Sequence, residues 1–366
     1  MAIEKNSMDQ KINKFYKNKK ILVTGVTGFK GAWLSQWLLT LGSKVYGIGY
    51  NPNKNKNLFY SLKLDKKITL RLIDIRNKKK ISNFIKKVKP DLIFHLAAQP
   101  LIYDSYKKPY FTYEVNTLGT LNILESVKEL NSNKIKALIC ITSDKCYADN
   151  FSTKGFKETD RLGGEDPYSG SKASAEIIIN TYKKSFFDKK IMKCGIASAR
   201  AGNVIGGGDW SPNRLIPDTI NSIIKNKIIH IRNPNYNRPW QHVLEPLYGY
   251  LILGEKLFKN PNRYSEAWNF GSEKDTVTNV LSIVKKIVNV WGRGKIKVKK
   301  NQKYYEQTNL QLNIEKSKKI LKWKPKLTIS QSVKITTEWY KDVLLKKTSP
   351  IEITTKQIQK YINEIK

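Results

Sequence analysis

Residues 20–40 read KILVTGVTGFKGAWLSQWLLT. The first five, Lys-Ile-Leu-Val-Thr, are a short apolar run with β-branched members, the pattern of a buried strand. They lead into Gly25-Val26-Thr27-Gly28-Phe29-Lys30-Gly31, a G-x-x-G-x-x-G loop, and 33–41 continues as an apolar helical stretch. A second strand-like run at 44–48 completes a βαβ unit. In such a loop the first glycine permits the tight turn, the second lets backbone approach a pyrophosphate, and the third allows helix and strand to pack closely. The helix N-terminus then offers free N–H groups to phosphate. The stretch predicts dinucleotide binding, with Gly25, Thr27, Gly28, Phe29, Lys30 and Gly31 as the floor of the site.

Outward from this unit, strand-like runs recur at 69–73, 91–96, 135–142 and 193–199, separated by helical patterns at 77–88, 113–130 and 167–187. Strands alternating with helices predict an α/β fold: a doubly wound parallel Rossmann sheet. After Arg200 the texture turns to Gly, Asn, Pro and Trp (AGNVIGGGDWSPN, then RNPNYNRPWQHV), the composition of site-lining loops. A helix at 215–226, an amphipathic helix at 276–292, a basic strand at 295–300, a short helix at 313–322 and a helix at 330–347 predict a smaller C-terminal α/β substrate-binding lobe. The expected division is a basic N-terminal arm at 1–18, a Rossmann domain at 19–203 with parts of 234–275 returning to it, a substrate lobe from 204–233 and 276–347, and a basic C-terminal tail at 348–366. No internal repeat is found.

The chain has 366 residues, 40% of them hydrophobic, with 19 Tyr, 12 Phe and 8 Trp, which excludes a disordered or fibrous protein. No apolar run approaches the roughly 18 to 20 residues of a membrane helix, and the start MAIEKNSMDQKINKFYKNKK lacks the apolar core of a signal peptide. A cytoplasmic protein is expected. Three cysteines (Cys140, Cys146, Cys194) and three histidines (His95, His230, His242) without ligand spacing predict neither a disulfide framework nor a metal site. The formal charge is +37, yet nine of the 67 basic residues are Arg and 58 are Lys, scattered among Asn and Ile. That is the imprint of AT-rich codons rather than of a nucleic-acid face, which concentrates Arg in a stripe. The expected consequence is a positive field that attracts an anionic small ligand.

The second strand of a dinucleotide fold commonly ends in an acid for the adenosine ribose. Residues 46–57 (YGIGYNPNKNKN) contain neither Asp nor Glu, so this position leaves both NAD and NADP open. Asp74, before Ile75 and Arg76, is a substitute acid within reach of the adenine, or else a helix cap. Farther on, Tyr168-Ser169-Gly170-Ser171-Lys172 sets Tyr and Lys four apart, hence on one helix face. An ammonium one turn away stabilises a phenolate and can hold a ribose hydroxyl, the arrangement for taking a hydroxyl proton as hydride leaves carbon. Thr142-Ser143-Asp144-Lys145 stands at a strand end between the two motifs.

The glycine loop, HLAAQ at 95–99, TSDK at 142–145 and YSGSK at 168–172 together resemble the extended short-chain dehydrogenase/reductase superfamily. More narrowly, GFKGAW at 28–33, HLAAQP at 95–100, TSDKCY at 142–147, GGEDPYSGSKA at 163–173, SARAGNVIGGGDW at 198–210, RLIPD at 214–218 and RPWQHVLEPLYGYL at 238–251 resemble the CDP-glucose 4,6-dehydratase family, from about residue 19 to about 345. The resemblance implies bound NAD and a nucleotide-sugar substrate. Oxidation at C4 gives a 4-keto sugar, water is lost across C5 and C6, and the hydride returns to C6: a hydro-lyase without net redox.

It also implies roles. Tyr168 takes the O4 proton with Lys172 beside it, Ser143 binds O4, Asp144 is the acid for the C6 hydroxyl and Lys145 the base at C5. Related dTDP-glucose enzymes usually carry Glu at that last position, and a lysine must be neutral to serve there. The cofactor contacts implied are the glycine loop, Asp74, Ile75, Leu96, Ala97, Ala98, Gln99, Tyr168 and Lys172; the substrate contacts are Asn203, Arg214, Arg232, Arg238, Tyr304 and Glu306, with His242 as readily a core residue. Two departures stand out: Val26 replaces a frequent histidine, and Gly170 a more usual Ser. Partners expected are the sugar nucleotide CDP-glucose and a second copy through 113–130 and 167–187, as a homodimer or a homotetramer, with neither nucleic acid nor membrane. The competing readings are another enzyme of the superfamily, such as a nucleotide-sugar 4-epimerase or a dehydratase of a different hexose or heptose, and a basic binding protein with a dead site.

Overall fold

Ile21, Leu22 and Val23 are without solvent exposure, which places the strand Lys20–Thr24 (β1) at the centre of the molecule. The computed structural model describes residues 6–50, 56–130, 134–148, 155–187, 194–231, 233–273, 278–298 and 310–363. Around β1 stand Lys44–Gly49 (β2), Thr69–Leu72 (β3), Leu92–His95 (β4), Ala137–Ile141 (β5), Gly195–Ala201 (β6) and Ala267–Phe270 (β7). The seven strands are all parallel, in the spatial order β7-β6-β5-β4-β1-β2-β3. Thr24 lies in register with Ile48 on one side and His95 on the other. The strand order reverses between β1 and β4, so a crevice opens at their carboxyl ends, where open α/β sheets bind ligands. The expected doubly wound sheet is present.

Two apolar layers cover the sheet. One is built on Trp33 and Trp37 of Phe29–Thr40 (α2) together with Leu247, Tyr250 and Leu251. The other combines Ile81, Phe84 and Ile85 of Lys78–Val88 (α3), Ile123, Leu124 and Val127 of Gly119–Leu130 (α4), and Ile179 of Pro167–Tyr182 (α5). The α5 start is dictated locally: Asp166 caps it by accepting from Ser169 N at 2.9 Å, and Pro167 occupies its first turn. Tyr168 therefore enters the crevice from the first turn of a firmly capped helix.

Beyond the sheet, Leu215–Ile224 (α6) packs near a parallel pair, Ile229–Ile231 with Ile296–Val298. Leu244–Lys259 (α7) leads back towards β7. Val280–Trp291 (α8) is capped by Asn279 and closed by Gly292 at φ 93°, and Ile329–Leu344 (α9) opens on a capping box between Thr328 and Gln331.

The basic arm, expected as a loose segment or a short surface helix, and the basic tail both carry docked helices. Asn6–Tyr16 (α1) docks through Ile12 and through Tyr16, whose buried hydroxyl donates to the Leu251 carbonyl at 2.8 Å. Pro350–Asn363 (α10) buries Ile353, Ile358 and Tyr361, and Thr354 accepts from Trp339 Nε1 at 2.9 Å. In both segments the few apolar residues that make the contact stand among polar ones, which weakens the helical period.

Glu245 anchors the C-terminal helix. Its carboxylate accepts from the Tyr361 hydroxyl at 2.6 Å and from Leu327 N at 2.6 Å, while burial pushes its pKa up to about 7. A carboxyl raised on folding contributes stability that is fully present below its unfolded pKa and is lost as pH rises through the folded one. Wild-type protein should therefore lose up to about 3 kcal/mol relative to Glu245→Gln between about pH 4.3 and about 7. Urea unfolding of both proteins along that range checks the difference, and parallel pH curves would refute it.

Candidate active site

A cavity of about 1180 Å³ fills the crevice and extends over α6. Its floor is the glycine loop. Gly25 has φ 69°, and a Cβ on Gly31 would lie 2.2 Å from the Gly25 carbonyl oxygen, so helix and loop meet backbone to backbone. Gly28 is the N-cap of α2 and supplies no side-chain cap, which leaves the first-turn N–H groups of that helix available to an anion. These features fit a dinucleotide pyrophosphate.

The opposite wall is Leu96, Ala97, Ala98 and Gln99 after β4. His95 fixes it from below: its ring is bonded to Thr24 Oγ1 at 2.7 Å and to Thr120 Oγ1 at 3.1 Å, and the same Thr24 hydroxyl accepts from Ala97 N at 3.2 Å. Burial lowers the imidazole pKa to about 3, so the ring is neutral and works as a strut. Gln99 is held through its backbone by Asn116, which also donates to Ser171 Oγ at 2.9 Å.

Asp74 and Ile75 line the adjoining edge of the cavity. Asp74 is committed to Arg76, with Nη2 at 2.6 Å, and this bond holds its carboxyl below the usual range. Arg76 also pairs with Glu114 at 2.9 Å. Capping of α3 falls to Asn77 rather than Asp74, which corrects that alternative.

At the end of β5 the chain makes a tight turn, Asp144–Cys146, capped by Ser143. Ser143 Oγ donates to Asp144 Oδ1 at 2.9 Å and accepts from Lys145 N at 3.2 Å. Asp144 is buried and its Oδ2 has no hydrogen-bond partner; burial pushes its carboxyl above the ordinary value. Gly202 leaves it room, since a Cβ there would lie 3.0 Å from Oδ2. Tyr168 is bonded to Ser143, which lowers its pKa, but burial dominates and lifts it to about 12. Lys172, drawn down to about 8 by burial, donates to the Ile141 carbonyl at 3.3 Å. Lys30 is half-buried, with Nζ 6.0 Å from the Tyr250 ring, and burial lowers it also to about 8.

The cavity thus brings together Ser143, Asp144, Lys145, Tyr168 and Lys172 with the glycine loop, Asp74, Ile75, residues 96–99, Asn203, Arg214 and Arg238. Arg214 is paired with Asp209 at 3.0 Å, and the Arg238 guanidinium lies 5.2 Å from the Tyr236 ring. Arg232, Tyr304 and Glu306 lie outside the described residues. His242 is a core residue: fully buried, edge-on to Trp33 at 5.8 Å, and lowered to about 3 by burial. The distal wall includes Asp218, from the RLIPD stretch, and Tyr236, from the Asn- and Pro-rich loop, with Thr219, Ser222 and His230 beside them. Among the described residues no cluster suits a metal ion and no helix is long and apolar enough to cross a membrane.

Residues 22–336 match the family model described as GDP-mannose 4,6 dehydratase. The chain is 40% identical over 331 residues to CDP-glucose 4,6-dehydratase of Salmonella typhimurium, covering 89% of this chain and 92% of that protein. It is 29% identical over 288 residues to dTDP-D-glucose 4,6-dehydratase of Dictyostelium discoideum, covering 74% and 62%. Among solved structures, dTDP-glucose 4,6-dehydratase of Bacillus anthracis in complex with NAD superposes with TM-score 0.74 at 24% identity, covering 88% of this chain and 97% of that one. An epimerase of Methanothermobacter thermautotrophicus does so with TM-score 0.78 at 22% identity, covering 93% and 98%. These two carry the fold. A family match over most of the chain, a relative at 40% identity along nearly its whole length and a Rossmann crevice holding the Ser-Asp-Lys and Tyr-x-x-x-Lys groups lead to one conclusion: the chain belongs to the nucleotide-sugar 4,6-dehydratase family.

Proposed function

We propose that the protein is a CDP-glucose 4,6-dehydratase, converting CDP-D-glucose to CDP-4-keto-6-deoxy-D-glucose and water. The observation that carries this reading is the turn Ser143-Asp144-Lys145 beside Tyr168 in one cavity, in a chain 40% identical to the Salmonella enzyme of that name. NAD would be held by the glycine loop, Asp74, Ile75, residues 96–99 and Lys172, and would supply a hydride acceptor for C4 and a hydride donor for C6. Tyr168 accepts the O4 proton while Ser143 binds that oxygen. The resulting ketone acidifies C5–H, whose proton goes to Lys145. Asp144 protonates the departing C6 hydroxyl, a role suited to a carboxyl whose hold on its proton burial strengthens. Asn203, Arg214 and Arg238 bind the sugar nucleotide, the arginines by bidentate contacts to its diphosphate. Arg232, Tyr304 and Glu306 join them in this reading.

The protein acts as a homodimer in the cytoplasm, in deoxysugar synthesis for surface polysaccharide. Support for the dimer comes from exposed apolar residues on the helices expected to pair: Leu118 is 49% exposed, Ile177 55% and Tyr113 40%. A positive net charge of 37 favours capture of a diphosphate substrate.

Mass spectrometry of purified protein with catalytic NAD and CDP-, dTDP-, GDP- or UDP-hexose tests the reading. Loss of one water from CDP-glucose without net NADH is the expected result. Isomerisation without water loss would make the protein an epimerase and overturn it, and water loss from another nucleotide hexose would overturn the choice of base.

A further inference from the structure

Helix α5 carries Tyr168, Lys172 and Glu176 at successive intervals of four, so the three share one face. The chemistry above uses the first two. Glu176 is 3% exposed, and its carboxylate accepts from the Thr142 hydroxyl, from Ser198 Oγ at 2.8 Å and from Arg200 Nη2 at 2.7 Å. Arg200, on β6 and equally buried, turns Nη1 the other way, donating to the Tyr147 hydroxyl at 2.8 Å and to the Glu158 carbonyl at 3.1 Å. Tyr147 in turn donates to Asn269 Oδ1 at 2.7 Å on β7. Thr142 and Tyr147 bracket Ser143-Asp144-Lys145 in the sequence. A single buried ion pair therefore grips the reactive turn at both ends and ties it to the helix bearing Tyr168 and Lys172.

We propose that Glu176 and Arg200 form a positioning pair that sets the separation between the Ser143–Lys145 turn and Tyr168, with Glu176 also supporting the positive charge of Lys172. The proposal rests on the reading that those side chains perform the dehydration. Stability alone does not account for the pair: a buried ion pair commonly gives little over apolar residues of the same volume, and Arg200 Nε has no partner. Geometry does, because displacement of a reacting group by about 1 Å can cost about a hundredfold in rate. The charge argument follows from what surrounds Lys172. Cys140 on β5 and Cys146 in the turn are pushed well above the ordinary thiol value by burial, and His95 at the end of β4 is neutral. Lys30 from the glycine loop adds positive charge. Glu176, which stays ionised against Arg200, is the anion that opposes the burial-driven fall of Lys172 to about 8.

The test compares Glu176→Gln, Arg200→Met and the double variant in full-length protein with NAD and CDP-glucose, reading kcat, KM, the pH profile and thermal melting. In Glu176→Gln, kcat should fall about 10- to 100-fold with KM within about threefold. The alkaline limb of the profile should move to lower pH, because Lys172 then loses its proton more readily. The double variant should be no slower than Glu176→Gln, since the two residues act as a unit. It also leaves no buried charge unpaired, so it keeps the test open where Arg200→Met alone fails to fold. Wild-type kcat with an unmoved alkaline limb overturns the proposal, and so does a loss of rate that only follows the folded fraction. Tyr168→Phe is the control: if it still dehydrates the substrate, the reading of the site fails rather than the pair.

Discussion

Tyr168→Phe is expected to lower kcat for water loss about a thousandfold, within the 10²- to 10⁴-fold span typical of general-base removal. The phenol is buried in the cavity and bonded to Ser143. The substitution deletes one hydroxyl and leaves the ring packed, so melting temperature and NAD affinity should stay near wild type, the glycine loop being untouched. Product formation followed by chromatography, with NAD binding measured separately, checks both halves. A loss below about tenfold would remove Tyr168 from the role of base.

Asp144→Asn should be almost as severe, at about 10²- to 10³-fold, but should stop a different step. The amide occupies the same volume and cannot deliver the proton needed by the leaving C6 hydroxyl. Oxidation at C4 does not need that proton, so reduced cofactor should accumulate on the enzyme while water loss stalls. Stability should stay near wild type, because Asp144 is buried with Oδ2 unpartnered and burial opposes its ionisation. Rapid mixing with CDP-glucose, reading nicotinamide absorbance against released product, separates the two steps. Wild-type product release would place the acid elsewhere, and failure to form reduced cofactor would place Asp144 in the first step.

Much of this site was legible because its chemistry is local in sequence. The glycine loop declares itself by three glycines at fixed spacing between a strand and a helix, and a Cβ at Gly31 would meet backbone at 2.2 Å. Tyr168 and Lys172 declare themselves by one helical turn, whose start Asp166 and Pro167 fix. Glu176 was equally visible as the next step of four, yet its meaning depends on Arg200, 24 positions later and one strand away. The docking of the terminal helices was illegible for a related reason. Tyr16 and Tyr361 earn no notice among lysines until Leu251 and Glu245 stand opposite them.

Strand and helix alternation, the cofactor loop and the identities of the reactive side chains can be read from short stretches of chain, because each depends on backbone geometry within a few residues. Packing in the folded chain establishes that Asp74 is spent on Arg76, that His95 and His242 are neutral core groups, that Asp144 is a buried carboxyl whose Oδ2 has no hydrogen-bond partner, and that one ion pair clamps the reactive turn. Burial and long-range pairing set those properties, and neither is encoded in any single stretch of chain.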